Sequence, residues 1–282
     1  MINDELGPNS PYFASVGNHD LVAWTAYQQK LVDRLGSVEG ATCTGDLGVK
    51  ACYYQGLFFI LSGAGTLGSD DDVYIRDQLA QDGSIWRVCF WHKNQSLMQV
   101  GFKPDEAGWR PYEECLTGGA IVATGHEHSY FRTHLMDSFE TQSIASTSNT
   151  LEIERGKSFA FVSGLGGASV RVQNDARATK GVVGRGLHRH PGRNVWGAFL
   201  YLQRGWGRVP GTLLLQGYQW GSRRRIRPAC TGSCAAAAPP LPHPYRSPER
   251  HRWDSRVLAG FLGVSAVWSL ARLVRRCDRP AV

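Results

Sequence analysis

An α/β fold, a layered β-sandwich flanked by helices, is what the sequence predicts, on three observations. Apolar runs of strand length alternate with segments of helical spacing across residues 1–180, the pattern that builds layered α/β folds. Four of those runs end directly in glycine-containing or polar clusters, and the carboxyl ends of strands are where ligands gather in open α/β sheets. From about residue 181 both patterns fail.

Residues 12–16, YFASV, form a short apolar run stopped by Gly17-Asn18-His19-Asp20. Residues 21–38 place Leu21, Trp24, Tyr27, Leu31 and Leu35 near helical spacing and read as a helix. Residues 53–65, YYQGLFFILSGAG, read as one strand of aromatic and apolar side chains ending in glycines. Residues 70–81, DDDVYIRDQLAQ, read as a helix with acids at its start, where the dipole favours them. A second buried strand follows at 84–92 and a short, glycine-ended helix at 112–119. Residues 120–130, AIVATGHEHSY, make a third strand and 158–169 a fourth. Trp86, Trp91, Met98 and Trp109 are expected in the core, and the Ser/Thr-rich stretch 138–159 as a surface loop between strands.

Charge divides the chain. Residues 1–180 hold 14 Lys+Arg against 21 Asp+Glu, whereas 181–282 hold 17 Arg, no Lys and 3 acids. A basic segment normally points to nucleic acid or an anionic membrane. These arginines lie without period among Gly, Pro, His and Trp, so no nucleic-acid partner is expected. The N-terminus has neither a positive n-region nor an apolar h-region, so no signal peptide is read; a secreted parent remains open. The uncharged run VLAGFLGVSAVWSL has 14 residues, short of the roughly 20 that a helical span takes. Cys43 with Cys52, and Cys89 with Cys115, pair as disulfides or stay as buried thiols. Oligomeric state is not legible.

The chemistry sits in the clusters after the strands: GNHD at 17–20, WHKNQ at 91–95, GHEH at 125–128 and GLGG at 164–167. His92, His126 and His128 offer neutral imidazoles to a first-row metal, and Asn18 offers a carbonyl oxygen. In extended backbone His126 and His128 face one side together, and Glu127 points away.

GNHD, a strand-terminal histidine and then GHEHSYFRT together resemble the calcineurin-like metallophosphoesterases, over about residues 1–180. The Tyr and Arg that follow, with FAFVSGLGG downstream, resemble the purple-acid-phosphatase-like branch. The resemblance implies a phosphate-ester hydrolase holding two divalent or trivalent ions (Fe, Zn or Mn) that attacks with a metal-bound hydroxide. Its substrate would be a phosphorylated small molecule or protein. It implies Asn18, His92 and His126 on one metal and His128 on the other. His19 would protonate the leaving group, with Asp20 orienting it.

The family's Asp-x-His and its Gly-Asp with the bridging aspartate precede GNHD, and neither occurs in the sixteen residues before Gly17. TGDLG at 44–48 lies after GNHD, within the Cys43–Cys52 loop, and does not replace them. The chain thus reads as an incomplete metallophosphoesterase domain with a metal site of neutral ligands, expected to bind metal weakly and to have impaired activity. A catalytically inactive remnant or binding module is the alternative. Residues 181–282 read as a basic, low-order tail and an out-of-frame translation. A one-base shift over 181–204 permits an alternating, Trp- and Thr-containing string without a stop, and arginine without lysine suits GC-rich DNA read out of frame. Gly63, Gly65 and Gly68 also form a G-x-G-x-x-G between strand and helix, the setting of a dinucleotide site. Three aspartates at 70–72 crowd the place where a pyrophosphate would lie.

Overall fold

The computed structural model describes residues 6–7, 9–45, 50–148, 150–164 and 171–184, together with the backbone of 185–187, 196–203, 212–219, 257–260 and 267–272. Strand β1 is Tyr12–Ala14 and helix α1 is Trp24–Gly36, entered through a 3-10 turn at Leu21–Ala23. Next come β2 (Ala41–Gly45), β3 (Lys50–Tyr54), β4 (Leu57–Leu61), α2 (Asp71–Gln81), β5 (Trp86–Trp91), α3 (Arg110–Thr117) and β6 (Ile121–Thr124). After them lie β7 (Tyr130–Thr133), β8 (Leu135–Ser138), β9 (Ser143–Ser146), β10 (Ala160–Ser163), α4 (Asp175–Ala178) and β11 (Val183–Leu187). The last strands are β12 (Trp196–Gln203), β13 (Thr212–Gln219), β14 (Val257–Gly260) and β15 (Val267–Arg272).

The main sheet has eight strands in the order β11-β7-β10-β6-β5-β4-β3-β2. Its centre, β4 to β5 to β6 to β10, is parallel, and its flanks are antiparallel. Alternate side chains of each strand go to opposite faces. Val88 and Phe90 join Phe59, Leu61 and Ile121 on one face, while Cys89 and Trp91 join Ile60, Val122 and the buried sides of α2 and α3 on the other. A strand buried on both faces reads as a continuous apolar run, which is why VCFW at 88–91 is legible as a strand. Phe13 of β1 stacks on Phe59 at 4.6 Å between centroids, bringing the edge of a second sheet, β1-β15-β14-β12-β13, onto the first face. The layered α/β architecture flanked by helices is therefore present, and no barrel forms among the described residues.

Three elements differ from expectation. Residues 53–65 make a hairpin rather than one strand: Tyr54 pairs with Leu57 across Gln55-Gly56. Both turn residues have positive φ, 49° and 85°, the mirror-image turn whose twist matches that of the flanking strands. The polar dipeptide inside an aromatic run was the available signal. The third strand stops at Thr124, and His126 has φ 56°, so His126 and His128 do not sit on extended backbone. The stretch 138–159 contains β9, paired with β8, rather than a plain loop.

Both cysteine pairs are bridged: Cys43–Cys52 joins register partners of β2 and β3, and Cys89–Cys115 ties β5 to α3. Trp86, Trp91 and Met98 are buried, and Trp109 packs half-buried beside α3. Among the described residues no helix is long and apolar enough to cross a membrane.

Candidate functional site

The parallel centre of the sheet delivers β5 and β6 side by side, so the loops at their carboxyl ends meet. Gly125 N–H donates to the His92 carbonyl at 3.2 Å, which joins the two loops directly. Asn94, wholly buried, links them further. Its Nδ2 donates to Thr124 Oγ1 at 2.6 Å, its Oδ1 accepts from Glu127 N–H at 3.3 Å, and its carbonyl accepts from Glu106 N–H at 3.0 Å. Sequence reasoning gave Asn94 no role; its only mark was its place three residues beyond a strand end.

Three expected site residues converge. His92 Nε2 lies 2.6 Å from Asn18 Oδ1, and His126 Nδ1 lies 2.9 Å from that same His92 nitrogen. The two rings pack edge to face at 4.7 Å between centroids. Burial is the main cause that pulls the His92 pKa down to about 3, helped by His126, His19, Lys93 and Lys103. Burial likewise lowers His126, against the opposing pull of Glu106. Both rings are consequently neutral near pH 7, each with one lone pair and one N–H.

That inventory is mismatched to the contacts. If His92 Nε2 carries hydrogen, one proton serves two acceptors; if it does not, its lone pair meets the Asn18 carbonyl oxygen at hydrogen-bond distance. His92 Nδ1 is buried with no hydrogen-bond partner. Amide oxygen and imidazole nitrogens turned toward one point, short of protons, form a donor set that suits a single first-row cation. A pair of cations is not suited. No group of three or more His, Cys, Asp or Glu side chains is placed to hold a metal among the described residues.

The remaining expected residues are less tightly drawn in. His19 is exposed in the turn after β1, and Asp20 Oδ2 accepts from Gly17 N–H at 3.0 Å, closing that turn. His128 is half-buried, and its carbonyl accepts from Arg171 N–H at 2.9 Å. Glu127 does turn from the imidazoles, but into the protein: it is 1% exposed, packs over Gly101 and lies 3.5 Å from Arg171. Of the GLGG cluster, Leu165, Gly166 and Gly167 lie outside the described residues.

One residue was missed altogether. Glu106 Oε2 lies 2.9 Å from His126 Nε2, and its Oε1 lies 2.9 Å from Lys93 Nζ. Neither His126 Nε2 nor Glu106 Oε2 is aligned in a hydrogen bond, and both atoms are buried. A glutamate in a loop between β5 and α3 carried no local signal.

No protein-family model matches the chain, and no curated relative is found. Among solved structures the chain is similar to purple acid phosphatase PPD1 from yellow lupin (Lupinus luteus) seeds, at 14% identity and TM-score 0.48, over 74% of this chain and 43% of that one. It is similar to PhoD at 14% identity and TM-score 0.36, over 67% of this chain and 46% of that one. The chain thus spans less than half the length of either.

Proposed function

We propose that this chain carries one half of the metal centre of a calcineurin-like, purple-acid-phosphatase-like phosphoester hydrolase, with activity impaired. The carrying observation is that Asn18, His92 and His126, from three separate motifs, place polar atoms 2.6 and 2.9 Å apart at one point. A cation bound there supplies Lewis-acid polarisation of a phosphoryl oxygen. Asn18, His92 and His126 hold it, and burial keeps both rings unprotonated for the task. His19, exposed beside them, is the proton donor to the leaving group, and Asp20 fixes its turn through Gly17. The resemblance gives His128 to a second ion. The residues described do not fit a pair, so no step is assigned through it.

The experiment is a Co(II) or Zn(II) titration followed by p-nitrophenyl phosphate hydrolysis. The proposal expects one weak site and slow, metal-dependent turnover, abolished by His92→Ala. Two tight sites would refute the half-centre reading, and no binding at any concentration would refute the metal reading. A second reading, an inactive binding module, is favoured by the all-neutral ligand set, since neutral ligands alone do not offset the charge of the pair of ions that the two-metal chemistry uses. Binding without turnover selects it. A dinucleotide site at Gly63, Gly65 and Gly68 is not favoured, because Asp71 already occupies the Gly63 N–H at 3.1 Å.

We also propose that residues from about 181 are an out-of-frame translation forming a second segment after the 1–180 domain. The missing lysine and surplus arginine support it. Residues 181–184 are described, with Val182 buried in the core; beyond them part of the segment is described only as backbone strands, and the remainder lies outside the described residues. Independent sequencing of the locus with an intact frame through codon 181 would end this reading.

A further inference from the structure

We propose that Glu106 is a positioning residue that fixes the tautomer of His126, holding its hydrogen on Nε2 so that the Nδ1 lone pair faces His92 and Asn18. Which nitrogen of an imidazole is free to bind is set by the hydrogen bond that the other nitrogen makes. Here the two nitrogens of His126 have unlike neighbours: Nδ1 faces His92 Nε2, and Nε2 faces Glu106 Oε2, each at 2.9 Å. A carboxylate oxygen accepts and never donates when ionised. A bare Nε2 at that distance would set lone pair against lone pair, so only the Nε2–H form is compatible, and a small ring rotation completes the bond.

Glu106 is itself held on three sides. Lys93 Nζ takes its other oxygen at 2.9 Å, and its N–H donates to the Asn94 carbonyl at 3.0 Å. The third hold comes from the glycine-rich loop. Gly65, at φ 70°, lies so close that a Cβ there would overlap the Glu106 carbonyl. Only glycine combines that backbone conformation with that approach. The G-x-G-x-x-G segment thus has work other than cradling a phosphate: it seats the residue that orients His126.

The consequence for Glu106→Gln is specific. Lys93 has only donors to offer, so it retains the amide oxygen of a glutamine, and the NH2 then faces His126 Nε2. That nitrogen must become the acceptor, and the hydrogen must move to Nδ1, the side facing His92. The substitution is nearly isosteric, yet it inverts the tautomer.

The test is a long-range proton–nitrogen NMR correlation on the full 15N-labelled, metal-free chain at neutral pH, with His126 assigned by His126→Gln. The parent is expected as Nε2–H, Glu106→Gln as Nδ1–H, and Lys93→Met/Glu106→Gln as restored to Nε2–H, because the glutamine is then free to turn its oxygen to His126. An Nδ1–H or doubly protonated His126 in the parent overturns the proposal, and the parent spectrum decides this without any variant. So does an unchanged tautomer in a folded Glu106→Gln chain. The link to metal capture rests on the proposed function, whereas the tautomer does not. With Co(II), Glu106→Gln is expected to bind about 10- to 100-fold more weakly than the parent, the usual cost of losing an orienting partner. A parent that binds no Co(II) while the tautomers behave as stated refutes the metal reading and leaves the hold of Glu106 on His126 intact.

Discussion

Three loops leave the same edge of the parallel sheet, and the first ends differently from the other two. The loop after β4 closes on itself: Asp71 accepts from Ser62 Oγ at 2.6 Å and from Gly63 N–H at 3.1 Å, and Ser62 Oγ in turn accepts from Ala64 N–H at 3.0 Å. The loops after β5 and β6 leave His92 and His126 facing each other and Asn18 of the turn after β1 with too few protons, and two buried imidazole nitrogens outside any hydrogen bond. Both regions have glycines, both sit at strand ends, and both contain buried titratable groups. At the buried titratable groups the two differ: Asp71 finds donors for its carboxylate, whereas the imidazoles meet one another and Asn18 short of protons.

The sharpest way to break this comparison is to remove a converging imidazole. His92→Ala should weaken Co(II) binding by more than the roughly 100-fold that an orienting residue costs, measured by absorption titration; unchanged affinity would move the site elsewhere. Its counterpart is Asp71→Ala, which leaves Ser62 Oγ and the Gly63 N–H short of an acceptor and should cost about 1–3 kcal/mol in urea unfolding. Metal affinity should not move. Asp71→Asn keeps the acceptor oxygen and sheds the charge. Burial raises the Asp71 pKa above its ordinary value, so the wild-type loses stability as pH climbs from about 4 through the folded-state pKa, and the amide variant should not.

His92 carries the opposite sign. Its folded pKa, about 3, lies below its ordinary 6.5, so the unfolded chain binds the proton first. Stability should be whole above pH 6.5 and fall as pH drops toward 3, by at most about 1.4 kcal/mol per pH unit from this one group. Urea midpoints of wild-type and His92→Gln between pH 4 and 7 check it, the variant giving the flatter profile. The smallest effect expected lies away from both loops. Gly56→Ala, at φ 85°, should cost about 1–2 kcal/mol in thermal unfolding, with no change in metal affinity. A change there would mean that the hairpin and the site are coupled.

Much of the scaffold was legible. The runs at 88–91 and 121–123 were plain because their burial on both faces makes them continuously apolar. The acids at Asp71 and Asp72 marked the start of α2. The hairpin at Gln55-Gly56 was read through as one strand because aromatic side chains continue on both sides of the turn. At the strand ends, His92 and His126 lie together, but the expectation that His126 and His128 share a side rested on extended backbone, and His126 adopts positive φ.

The sequence by itself determined which residues could ligate and which segments are strands or helices, since periodicity, glycine and charge placement act within a few residues of each other. Tertiary structure alone decided that Asn18 meets His92 across 74 residues and His92 meets His126 across 34. It alone brought Glu106 and Gly65 behind the second ring. The meetings among His92, His126, Glu106 and Gly65 follow from the parallel order of β4, β5 and β6, and that of Asn18 from the packing of β1 on the face of that sheet. Both are set by burying whole sheet faces, a quantity that no local stretch of sequence contains.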